Sequence, residues 1–152
     1  MSHHDNHEDV DKSTLIEGLN KDLAHEYQAI VMYNTYAAKV SGIHRNELKS
    51  FFEAEVADEL NHAAFLANKI TALGGEPTTR AASLETTAST AREMLEQVVK
   101  AESETIERYV KRMRQAEAFG DYGLEAQLHD MIADETGHKE EAEKILRGRW
   151  EH

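Results

Sequence analysis

The chain has 152 residues, a net charge of −12 and no cysteine; that length suits one domain, and the missing thiols exclude disulfides, iron–sulfur ligation and cysteine nucleophiles. One proline and eight glycines are too few for the turns of a sandwich or barrel, and the acidity argues against a surface built to neutralise phosphates, so no nucleic-acid partner is expected. No apolar run approaches the ~20 residues of a membrane helix, and the opening Met1-Ser2-His3-His4-Asp5 lacks the apolar stretch of a signal peptide; no membrane partner and a cytoplasmic location are expected.

Residues 1–11 are polar, acidic and rich in histidine, with nothing to bury. They are expected to form a disordered arm in which His3, His4 and His7 are solvated. Residues 12–152 are expected to form the folded domain. A first helix is expected from about Thr14, where Thr14 and Glu17 have the spacing of a capping box. Its inward stripe reads Leu15, Leu19, Leu23, Glu26, Ile30, Tyr33, Ala37 and Val40, in steps of three and four. Ser41-Gly42 stops it.

The second helix runs from about His44 to Leu73, with the stripe Leu48, Phe52, Glu55, Glu59, His62, Leu66, Ile70 and Leu73. Gly74-Gly75 and Pro77 end it. Thr90 and Glu93 open a third helix whose stripe is Leu95, Val98, Glu102, Ile106, Tyr109, Met113 and Ala116. Gly120 closes that helix and Asp121 caps a fourth. The fourth stripe is Leu124, Leu128, Met131, Glu135, His138, Ala142 and Ile145, with Gly148 as the stop. The first and last connections are short, so each joins an antiparallel pair. Residues 74–89 are long enough to travel the length of a bundle. An all-α antiparallel four-helix bundle with one long crossover between the second and third helices follows.

Each stripe is apolar at its ends and turns acidic near its middle, at Glu26, Glu59, Glu102 and Glu135. His62 and His138 follow two of these glutamates by one turn on the same face. Four buried carboxylates without a cation would repel one another and lose hydration at several kcal/mol each, roughly. One glutamate from each of two helices, with Glu-x-x-His from each of the others, can instead hold two metal ions. The spacing supports this. Glu26 to Glu59 is 33 residues, and so is Glu102 to Glu135. Both Glu-x-x-His motifs follow an aspartate, Asp58 or Asp134, and Tyr33 and Tyr109 each lie seven residues after a glutamate. The halves match at an offset of 76, which suggests a pseudo-twofold axis through the site.

With these motifs the chain, over about residues 14–147, resembles the ferritin-like di-iron carboxylate proteins, and bacterioferritin most closely. The resemblance implies a ferritin-like bundle in which Glu26 and Glu102 are terminal ligands, Glu59 and Glu135 bridge, and His62 and His138 complete the set. It implies two iron ions per subunit, with manganese or zinc as substitutes, and a tyrosine at Tyr33 near the first ligand. Bacterioferritin carries a haem-ligating methionine directly after the first motif's glutamate. Here that residue is Leu60, so no haem is expected. The chain ends fourteen residues after His138, too soon for the fifth helix of 24-subunit cages. A homo-oligomer, a dodecamer or another cage, is the resulting expectation.

The activity implied is that of a ferroxidase oxidising Fe(II) with O2 or H2O2 for iron storage or detoxification. The competing readings are a peroxide-scavenging di-metal enzyme of the rubrerythrin or manganese-catalase kind, and a non-enzymatic metal-binding helical assembly. Among smaller signals, Asp58 and Asp134 are expected to accept hydrogen bonds from His138 and His62 across helices. Tyr33 and Tyr109 either donate to a carboxylate, supply an electron or fill the core. Glu55 either lines an access route or points to the bundle edge. His25, His44 and His129 are expected at the surface or edge, and Arg108, Lys111, Arg112 and Arg114 as a solvated helix face.

Overall fold

The computed structural model describes residues 10–85 and 87–148; the expected arm lies largely outside them, and so do His3, His4 and His7. Asp11 opens α1 (Lys12–Lys39), its carboxylate accepting from the Thr14 N–H at 2.7 Å. The expected Thr14–Glu17 box is thus corrected: a charged oxygen three residues earlier takes the unpaired N–H group of the first turn. Val40 closes α1, and α2 (Arg45–Ala72) begins after a turn containing Gly42.

Thr90 caps α3 (Ala91–Phe119) by accepting from the Glu93 N–H at 3.1 Å, and its hydroxyl donates to the Glu93 carboxylate. Gly120 ends α3 at φ +90°, where the N–H groups of residues 120 and 121 both return to the Ala116 carbonyl. A side chain is poorly tolerated at that φ, so glycine is the residue that lets the chain reverse there. Asp121 then caps α4 (Tyr122–Leu146) through the Leu124 N–H at 3.0 Å.

Two apolar clusters fix how the helices run. The start of α1 (Leu15, Leu19, Leu23), the end of α2 (Leu66, Ile70), the end of α3 (Tyr109, Ala116) and the start of α4 (Leu124, Leu128) share one cluster. The opposite ends of all four helices share the other, around Tyr36, Phe52, Leu95 and Ala142. Hence α1 is antiparallel to α2, α3 to α4, and α2 runs parallel to α3.

The crossover makes this possible by lying along α1. Asn20 donates to the Glu76 carbonyl and accepts from the Thr78 N–H, the Ala82 N–H meets the Ala24 carbonyl, and Lys39 donates to the Ala88 carbonyl. Among the described residues no helix is long and apolar enough to cross a membrane. Between the two clusters lies the layer where the stripes are not apolar.

Candidate metal centre

All six expected ligands reach this layer from the middles of their helices. Glu26, Glu59, Glu102 and Glu135 are buried, with His62 6% exposed and His138 slightly more accessible. Glu26, Glu59, His62 and Glu135 offer ligand atoms all within 4.8 Å of one another. Glu55, Glu59, Glu102 and His138 do the same. Glu59 belongs to both groups, its oxygens standing 3.8 Å from His62 Nδ1 and 3.7 Å from His138 Nδ1. Glu135 straddles the same pair, 2.9 Å from His62 and 3.8 Å from His138. Glu55 therefore lies in the centre, with Oε2 2.6 Å from His138 Nδ1. Its place on the α2 stripe, one turn before Glu59, is the signal in the sequence.

The imidazoles are aimed by aspartates from opposite helices. His62 Nε2 lies 3.1 Å from Asp134, and His138 Nε2 lies 3.0 Å from Asp58. An ionised carboxylate only accepts, so each Nε2 carries the proton and each Nδ1 faces inward. The tyrosines also cross: the Tyr33 hydroxyl donates to Glu102 Oε1, and the Tyr109 hydroxyl donates to Glu26 Oε1. Each tyrosine fixes one oxygen of a carboxylate and leaves the other pointing inward.

Burial and the facing carboxylates raise Glu26 well above the usual carboxylate range, and burial also raises Glu55 and Glu135. Glu59 goes the other way. Burial works against its charge, but hydrogen bonds from Glu26 and both histidines outweigh burial and hold it below that range. Burial alone would depress the histidines; the surrounding carboxylates instead push His62 up to about 10 and His138 to about 12. Protons thus hold the metal-free cluster together.

The donor set fits metal ions. The second oxygens of Glu26 and Glu102 are buried without a hydrogen-bond partner, and the inward oxygens of Glu55, Glu59 and Glu135 face only the two Nδ1 atoms, within 2.6–3.8 Å. Orphaned donors at that density are costly unless a cation completes them. Among the described residues, crevices on two sides border the layer. A crevice of about 290 Å³ between α1, α3 and the crossover borders the buried Glu102 beside His25, Gln28, Lys100 and Arg108. A second, of about 170 Å³ between α2 and α4, reaches His62 past Asp58 and Asp134.

Other positions fall as follows. His44 and His129 are exposed, and the half-buried His25 pairs with Gln28. Leu60 sits half-exposed on the outer side of α2. The expected solvated face on α3 is corrected: Arg112 is only 3% exposed and grips Asp22 of α1 through two nitrogens, at 2.8 and 3.2 Å. Gly18 makes room, since a Cβ there would overlap the guanidinium. Burial lifts the Asp22 carboxyl above its usual range although Arg112 pulls it down. Both residues lie at the margins of their stripes, Asp22 four before Glu26 and Arg112 three after Tyr109.

Comparison with known proteins agrees with this geometry. The family model described as Ferritin-like domain matches residues 16–148. A ferritin-like, diiron-carboxylate protein from Bacillus anthracis superposes with a TM-score of 0.88 at 52% identity, over 97% of this chain and 100% of that one. Bacterioferritin from Desulfovibrio desulfuricans is 31% identical over 127 residues, which are 84% of this chain and 71% of that protein. A dodecameric thioferritin from Bacteroides fragilis, described as bacterioferritin-related, superposes with a TM-score of 0.82 at 26% identity, over 91% of this chain and 87% of the other. The chain belongs to the ferritin-like family, and within it is a homologue of the bacterioferritins with a carboxylate–histidine cluster suited to metal.

Proposed function

We propose that the protein is a di-iron ferroxidase that oxidises Fe(II) with O2 or H2O2 and passes the Fe(III) to storage or detoxification in a homo-oligomeric assembly. The observation that carries this reading is the pair of overlapping donor groups, sharing Glu59 and straddled by Glu135, whose buried carboxylates and imidazoles face only one another. Carboxylates suit oxidised iron and imidazole suits Fe(II), so a mixed set serves a metal that changes valence. The description of the Bacillus anthracis protein as diiron-carboxylate supports iron over zinc, and the dodecameric relative supports assembly.

Fe(II) is the substrate. Two Fe(II) ions lose one electron each, and O2 gains two electrons and two protons to become H2O2. The chain supplies position and charge for this exchange. Glu26 and His62 hold one ion, Glu102 and His138 the other, and Glu59 and Glu135 stand between them. Asp134 and Asp58 keep the imidazoles turned inward, while Tyr109 and Tyr33 stop Glu26 and Glu102 from swinging away. Tyr33 stays neutral, because burial raises its hydroxyl far above the usual range.

Anaerobic titration with Fe(II), followed by O2 and monitored optically and with an oxygen electrode, tests the reading. Saturation at two Fe(II) per chain and uptake of about one O2 per two Fe(II) are expected. Metal that binds and consumes no oxidant would leave only a metal-buffering assembly. Fast peroxide turnover without accumulation of Fe(III) would make the protein a peroxide scavenger instead.

A further inference from the structure

The crevices that border the metal layer each carry one methionine beside one candidate ligand. Met32 and Glu102 line the crevice between α1, α3 and the crossover, and Met131 and His62 line the one between α2 and α4. Met131 also stands one helical turn before Glu135 on the inward stripe of α4. Both methionines are withdrawn from the outer surface, at 3% and 1% exposed. The 76-residue repeat dictates neither position: Met32 corresponds to Arg108 and Met131 to Glu55, just as Asp22 and Arg112 correspond to the buried Val98 and Tyr36 at the other end. The other two methionines among the described residues lie in the apolar ends of the bundle. Met94 is buried in one cluster, and Met113 packs half-buried against the other. Leucine fills such space as well as methionine, but only the thioether has a sulfur lone pair that can attack peroxide.

We propose that Met32 and Met131 capture H2O2 as it leaves the centre, each becoming a sulfoxide. The inference rests on the proposed function, which supplies the peroxide when O2 takes up two electrons and two protons. The sulfur lone pair forms an S–O bond to one peroxide oxygen, the O–O bond breaks, and the other oxygen leaves as water with both protons. The thioether loses two electrons and the peroxide gains them, so no further reactant is needed. Peroxide formed within the layer meets these sulfurs before it is diluted in solution, so position rather than exposure selects them. Each sulfur removes one H2O2, and methionine sulfoxide is a form that cellular reductases can restore.

Fe(II)-loaded protein is exposed to O2 with catalase in solution, then stripped of iron, digested and read by mass spectrometry, while an oxygen electrode records uptake. Metal-free protein treated with H2O2 gives the response to peroxide arriving from outside. Turnover should oxidise Met32 and Met131 roughly fivefold more than Met113, the most accessible of the four, whereas added H2O2 should favour Met113. The double variant Met32→Leu/Met131→Leu nearly conserves core volume. Without catalase it should take up O2 as the natural protein does and release more H2O2 in its first turnovers. Met113 oxidised as heavily as the other two during turnover, or equal peroxide release from the double variant, would overturn the inference and leave the ferroxidase standing. No O2 uptake by the natural protein would overturn the proposed function, and the inference with it. Should the double variant not fold, the pattern of oxidation in the natural protein decides alone.

Discussion

Loading the centre with metal should expel protons, and the structure says how many at least. In the metal-free protein the carboxylates push His62 up to about 10 and His138 to about 12, so both imidazoles are cationic at neutral pH. A metal needs the Nδ1 lone pair that the proton occupies. At pH 7 a proton therefore competes with the metal at both imidazoles. At least two protons per chain should appear when both ions bind, with more from Glu26 and Glu135, whose carboxyls burial has raised.

The sign of the stability change follows from the same groups. Raised carboxyls and raised histidines stabilise the metal-free fold at low pH. The carboxyl contribution is lost as pH rises through their elevated values, and the histidine contribution only towards about 10 and 12. Glu59, held low, contributes above the ordinary carboxylate range and loses its contribution as pH falls. Metal favours ionised glutamate and neutral histidine, so its affinity and the stabilisation it confers should both grow between about pH 5 and 8. A weakly buffered Zn(II) titration with a pH electrode counts the protons, and paired thermal melts follow the stability. Fewer than two protons released at pH 7 with two Zn(II) bound, or a metal-induced rise in Tm that does not grow with pH, would refute the reasoning.

Removing an aiming aspartate, Asp134→Ala or Asp58→Ala, should lower metal affinity roughly 10- to 100-fold while leaving the helical content unchanged, by calorimetry and circular dichroism. Glu59→Ala with Glu135→Ala removes both carboxylates that straddle the histidines, and metal analysis should find neither position fully occupied. Asp22→Ala strands a buried guanidinium and should destabilise the fold by about 3–5 kcal/mol in urea unfolding. The double change Asp22→Val with Arg112→Tyr, which copies the apolar pair at the other end, should recover most of that loss; a single change as mild as a surface substitution, about 0.5 kcal/mol, would contradict the ion-pair argument.

The helices and the gathering of the six candidate ligands in one layer were legible because they share one periodicity. Along α2 every stripe residue from Leu48 to Leu73 is buried, so placing Glu59 and His62 followed from placing Phe52 and Leu66. The duplicated spacing then separated a site from chance acidity. What the sequence concealed lay at the stripe's margins. Four basic residues between positions 108 and 114 share roughly 160° of the helix circumference, and the one at the inward margin of that arc looks the same in sequence as a solvated one. Only the matching Asp22 and the small Gly18 on α1 reveal Arg112 as buried, and those contacts span about ninety residues of sequence. Glu55 was ambiguous for a related reason: a carboxylate one turn from a ligand either joins the centre or leans to water, and the position of His138 on a distant helix decides. The start of α1 shifted because Asp11 outcompetes Thr14 for the same unpaired N–H groups.

The central claim, two metal ions held within a single bundle, is tested most directly by anomalous diffraction at the iron edge from crystals loaded anaerobically with Fe(II). Two peaks per chain are expected, ~3.5–4 Å apart, the spacing usual for two-metal sites. One should lie among Glu26, Glu59, His62 and Glu135, and the other among Glu55, Glu59, Glu102 and His138. Iron found only at the surface or between subunits, with Glu59 and Glu135 still facing only the two histidines, would contradict it.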